Sequence, residues 1–173
     1  MKRIAVSALV FIFLFLFCSC FPNQTDFNDV KNMLKYPVCI SAEVEQETTV
    51  RFKLNAYEEE TLFTFTEPET LRLLSVKKNK DGYLAQYDGI ESKLDSCSVL
   101  AVDSLSLALN AITMSETCSR QIKNDQNVLL FSIDGVTVLV YYDVEQKIIT
   151  KIIAEANGQL FSYRILSVST IQT

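Results

Sequence analysis

Histidine and tryptophan are both absent from the 173 residues, and glycine (4) and proline (3) are scarce. Without histidine the chain cannot build a Ser-His-Asp or Cys-His nucleophile, and it loses the commonest zinc ligand. The glycines stand singly at Gly82, Gly89, Gly135 and Gly158, so there is no glycine-rich phosphate loop. Basic residues are outnumbered, 16 against 21 acids, for a net charge of −5 and no clustered Lys or Arg stripe. Such a surface is repelled by phosphate backbones, which argues against nucleic acid as a partner. No Ser-Xaa-Xaa-Lys opens a helical stretch. Glu43/Glu45 and Glu67/Glu69 are acids two apart on extended segments, an arrangement that usually serves only as solvated surface. Glu58-Glu59-Glu60 lacks the Asp-Xaa-Asp spacing and glycine turn of a calcium loop. No catalytic residue, metal or cofactor is expected, and the chain reads as a non-enzyme.

Long apolar runs are also missing, with one exception at the start. Lys2 and Arg3 precede an apolar stretch from Ile4 to Phe17 broken only by Ser7. About 14 residues are too few to cross a bilayer comfortably, but they suit the central region of a secretory signal. The run closes on Phe17-Cys18-Ser19-Cys20, which resembles a bacterial lipobox with Cys20 as the lipid acceptor. Cys18 fits less well, because Phe17 would then occupy a cleavage position that needs a small residue. An ordinary cleaved signal with two incidental cysteines is the alternative. The expected organisation is a lipoprotein signal peptide at 1–19, a short tether at 20–24 and one domain over 25–173, held by its lipid at the extracytoplasmic face of the cell membrane. Loss of Lys2 and Arg3 with the signal would take the net charge from −5 to about −7.

Of five cysteines, processing and lipidation would leave Cys39, Cys97 and Cys118, an odd number that cannot all pair within one chain. Cys97 and Cys118 bracket an expected helix and could close a loop of about 20 residues, worth roughly 3 kcal/mol if the geometry allows the bond. Three buried thiols acting as small apolar groups are the alternative.

Past the tether, Phe27, Val30 and Leu34 recur at helical spacing, with Thr25 as the expected N-cap and Tyr36-Pro37 as the stop. From Val38 the period becomes two. Val38, Ile40, Ala42 and Val44 alternate with polar neighbours, as do Val50, Phe52 and Leu54, and a third strand is expected over 62–66. Asp81-Gly82, Asp88-Gly89, Asp134-Gly135 and Asn157-Gly158 read as hairpin turns between further strands. Residues 95–118 interrupt the sheet. There Asp103 or Ser104 could cap a helix whose Leu105, Ala108, Leu109 and Ile112 share one face. Val136, Val138 and Val140 alternate with Thr137, Leu139 and Tyr141, giving a strand apolar on both faces, which needs cover on both or lines a cavity on one.

The stretch Thr64-Phe65-Thr66-Glu67-Pro68-Glu69-Thr70-Leu71, followed by Leu74-Ser75-Val76, Gly82-Tyr83 and Tyr87-Asp88-Gly89-Ile90, resembles Gram-positive lipoproteins of the LolA/LppX type. Many of those carry glycine where this chain has Leu73. The resemblance implies an α+β fold, a curved antiparallel half-barrel with helices packed on its concave face. It also implies carriage of a lipid or acylated molecule in an apolar cavity.

Candidate lining residues are Phe63, Phe65, Leu105, Leu109, Phe131, Val138 and Val140, which sit on the expected helix face and on strands with more apolar area than one core face requires. Two functions follow: a membrane-anchored lipoprotein that binds a lipid or other hydrophobic ligand, or a protein-interaction or envelope-sensing module on the same scaffold with a filled core. Nothing in the sequence sets the oligomeric state.

Overall fold

The computed structural model describes residues 24–45, 49–94, 100–123, 126–156 and 158–171. The expected signal peptide, Cys20, most of the tether, Cys97 and Asn157 lie outside the described residues.

Among the described residues eleven strands form one antiparallel, unclosed, curved sheet that carries two α-helices. The strands are β1 (Val38–Glu45), β2 (Thr49–Ala56), β3 (Thr61–Glu67), β4 (Leu74–Asn79), β5 (Gly82–Tyr87), β6 (Ile90–Leu94), β7 (Ser119–Lys123), β8 (Gln126–Ile133), β9 (Val136–Asp143), β10 (Ile148–Ala156) and β11 (Gln159–Thr170). Their spatial order is β6-β5-β4-β3-β2-β1-β11-β10-β9-β8-β7. The chain therefore starts mid-sheet, zigzags to one edge, crosses to the far edge through helix α2 (Leu100–Met114), and zigzags back until β11 pairs with β1.

The period-two pattern explains which side is buried. Val38, Ile40, Ala42 and Val44 of β1 face the core with Phe52 and Leu54 of β2, Phe63 of β3, Val138 and Val140 of β9, and Ile152 and Ala154 of β10. Phe52 packs against Phe63 with centroids 5.7 Å apart and meets Tyr163 edge-on at 6.3 Å, arrangements that suit the ring quadrupole. Helix α2 lies across β8, β9 and β10 on this inner face and buries Leu105, Ala108, Leu109 and Ile112. Helix α1 (Gln24–Met33) docks beside it, with Phe27 stacked 5.9 Å from Phe131 and Lys31 donating to the Ser115 carbonyl at 2.7 Å. Among the described residues no helix is long and apolar enough to cross a membrane.

Several boundaries differ from those expected. Helix α1 begins at Gln24, placing Thr25 inside its first turn. Helix α2 begins at Leu100, so Asp103 sits in the first turn and does not cap it. The Asp103 carboxylate is drawn outward to Lys78 and to the Tyr83 hydroxyl (2.6 Å), while the Tyr163 hydroxyl donates to the Ala101 carbonyl. An acid in that first turn also suits the helix dipole. The β4–β5 turn is made by Lys80 and Asp81. Gly82, at φ +117°, is already the first residue of β5, opposite Asn79. Strand β7 was not expected at all.

Candidate functional site

Each strand pair in the sheet is held by its ladder of backbone hydrogen bonds, and the β10–β11 ladder is incomplete. Pairing runs from Ala156↔Gln159 to Lys151↔Arg164 and stops, although β10 continues back to Ile148 and β11 continues to Thr170. Each strand carries an extra residue at the point of parting. Thr150 is skipped between the Ile149↔Tyr142 and Lys151↔Tyr141 pairs, and Leu166 is skipped between Ala42↔Ile165 and Ser41↔Ser167. Bulges bend the strand that carries them. Two at the same level turn β10 towards β9 and β11 towards β1, and a seam opens between them.

The seam is a cleft of about 300 Å³ whose apolar wall includes Met33, Ile148, Ile149, Ile165, Leu166 and Val168, with Thr150 and Arg164 at its border. Leu166 and Ile148 are 48% and 42% exposed, so apolar side chains stand open to solvent here. On the outer face a polar cleft of about 290 Å³ adjoins it, lined by Glu43, Gln126, Thr150, Lys151, Ser162 and Arg164. Thr150 and Arg164 belong to both.

A row of directly opposed side chains crosses the outer face at this level: Glu67, Arg51, Glu43, Arg164, Lys151 and Tyr141, one from each of six adjacent strands. Glu43, only 3% exposed, accepts from Arg51 Nε at 3.0 Å and from Arg164 Nε at 2.5 Å. Arg51 reaches on to Glu67 at 2.8 Å. The bonds from Arg164 and then Arg51 hold the Glu43 carboxyl down at about 2, and Glu43 in turn raises the Arg51 guanidinium. Lys151 lies over the Tyr141 ring at 5.7 Å. The row holds three cations and two carboxylates, a local positive excess on an acidic chain.

Of the expected lining residues, Phe63, Leu105, Leu109, Phe131, Val138 and Val140 all lie in one continuous buried core, and Phe65 packs half-buried at its border. The structure places them in or against one buried core, and none of them lines the seam. Cys118 is half-buried and its thiol is pushed up by burial and by nearby Asp26; its suggested partner Cys97 is outside the described residues. Cys39 is likewise half-buried. Among the described residues no cluster of His, Cys, Asp or Glu could hold a metal ion. Of the acids singled out in the sequence, Glu43 and Glu67 are brought to one face by strand register and are engaged by arginines.

Sequence reasoning did not find the seam. Its one legible trace is the apolar Leu166 between Ile165 and Ser167, which breaks alternation where β11 bulges.

No protein-family model matches the chain, and no curated protein matches it. Solved structures similar to it include an uncharacterized conserved protein from Thermus thermophilus, with 9% identity, 87% of this chain and 88% of that one covered, and a TM-score of 0.47. They also include a LolA superfamily protein from Nitrosomonas europaea, with 11% identity, 88% and 95% coverage, and a TM-score of 0.45.

Proposed function

We propose that the chain is a non-enzymatic binding protein, lipid-anchored through Cys20 at the outer face of a cell membrane, that holds a single-chain anionic amphiphile in the seam between β10 and β11. The observation that carries this reading is the junction, at Thr150 and Arg164, of an apolar cleft with a polar one in which Lys151 and Arg164 outnumber the single carboxylate Glu43. A cleft of about 300 Å³ stands at the lower end of the size range of small-ligand pockets, which suits a single acyl chain and not a larger lipid. Each buried CH₂ contributes about 0.8 kcal/mol, so such a chain supplies most of the binding free energy. The head group then lies in the outer cleft, where Lys151 and Arg164 favour a carboxylate or phosphate.

The test is titration of a fluorescent fatty acid into wild type and Leu166→Asp. The substituted side chain is already half in water, so the fold is kept while the apolar wall acquires a charge. Wild-type binding that falls at least tenfold in the variant is expected. A wild type that binds no fatty acid, or a variant that binds equally well, removes the seam as the site. An interaction module is the second reading, favoured by the continuous burial of six of the seven side chains expected to line a cavity.

A further inference from the structure

Strand β6 ends the sheet, and no strand among the described residues pairs with its outer side. Its residues Ile90 to Lys93 are all exposed, Ile90 to 72%. A free edge of this kind offers unpaired N–H and C=O groups to another strand. Which residues offer them follows from the turn. Asp88 (φ 48°) and Gly89 (φ 81°) form a two-residue turn of the primed type, closed by the pair Tyr87↔Ile90. That closing pair is hydrogen-bonded, and in an antiparallel ladder bonded and non-bonded pairs alternate. Ile90, Ser92 and Leu94 therefore direct their backbone groups to β5, whereas Glu91 and Lys93 direct theirs outward, where the Lys93 carbonyl accepts a long bond of 3.4 Å from the Ser92 hydroxyl and keeps a second lone pair for a new strand.

We propose that β6 pairs antiparallel with β6 of a second copy of this chain, about a twofold axis through Ser92. In this register Glu91 stands opposite Lys93 of the other copy, and the symmetry repeats the pair. Both are outward-directed residues, so each opposed Glu91/Lys93 pair exchanges two backbone hydrogen bonds and matches opposite charges on the outer face. Ser92 meets its own equivalent as a close, non-bonded pair, where a small side chain is suitable. On the inner face Ile90 meets Leu94 of the other copy and loses its exposure. The contact is isologous, so it closes as a dimer and does not propagate. The other free edge, β7, has no such self-complementarity: antiparallel pairing about Gln121 sets Arg120 against Ile122 and Ser119 against Lys123. With five residues a side the contact is small, and the dimer is a weak, reversible one.

The experiment is sedimentation velocity over a concentration series with the full chain in mild detergent, on wild type, Glu91→Lys, Lys93→Glu and the double variant. Wild type should show a reversible monomer–dimer equilibrium. Either single reversal sets like charges opposite one another at both pairs and should weaken the dimer at least about tenfold. The double variant restores opposite charges and should recover wild-type dimerisation. An equimolar mixture of the two single variants should form a heterodimer. Both positions are exposed, so unchanged melting curves will show that the fold is intact. A wild type that stays monomeric throughout overturns the proposal. So do single variants that dimerise like wild type, a mixture that fails to recover association, or growth into open polymers.

Discussion

Leu109→Asp tests whether helix α2 is fastened to the sheet as described. Leu109 is 1% exposed, on the same helix face as Leu105 and Ile112, and belongs to the continuous core. Removing a buried leucine side chain down to Ala alone costs about 2.7–5 kcal/mol. Asp adds a polar group with no partner, which raises the cost further whether it is buried charged or neutral. Against a total stability of about 5–15 kcal/mol, a loss of about 4 kcal/mol or more brings the variant near its unfolding threshold. For a domain of this size the melting temperature should fall by roughly 8–16 °C for each 4 kcal/mol lost.

The pH dependence supplies an independent sign. Burial raises a carboxyl pKa above its unfolded value near 4, so the folded variant favours the protonated acid. The penalty of ionisation is then absent below about pH 4 and grows as pH rises towards the folded value. Urea melts of wild type and variant at pH 4 and pH 7 will read this, and the gap between them should be wider at pH 7. A variant that melts within about 2 °C of wild type, or whose deficit narrows with rising pH, would mean that α2 does not bury this face.

The Glu43 carboxyl, held at about 2 by Arg164 and Arg51, lies below the unfolded Glu value of about 4.3. Its contribution is therefore complete above that unfolded value and is lost as pH falls towards 2. Glu43→Gln should flatten the acid limb of a stability–pH curve between pH 4.5 and 2, measured by urea midpoints; an unchanged limb would remove the ion row as its cause. Cys20→Ser should release the chain from the membrane fraction or leave it unprocessed, since two acyl chains anchor stably where one does not. A processed, diacylated Cys20→Ser product in a mass spectrum would show that the lipid is carried elsewhere.

Local chemistry made much of the fold readable in advance. Alternating Val38, Ile40, Ala42 and Val44 defined a strand and its buried face, because side chains on a strand point to opposite sides in turn. Asp134-Gly135 specified a turn, because both positions require positive φ, observed at 48° and 79°. Leu105, Leu109 and Ile112 announced a helix that packs on a sheet, whereas Phe63, Phe131, Val138 and Val140, read from the sequence as the lining of a cavity, lie in the buried core. Tertiary structure alone decided where the strands sit. Neighbours such as β1 and β11 are distant in the chain, and their pairing depends on α2 carrying the chain from one sheet edge to the other. It also decided the partners of Asp103, which meets Lys78 and Tyr83 from β4 and β5. The Glu43 row is of the same kind, since residues 51, 67 and 164 become its neighbours only through register. The seam depends on one further step: two bulges on different strands must fall at the same level, and each strand's sequence contains only its own.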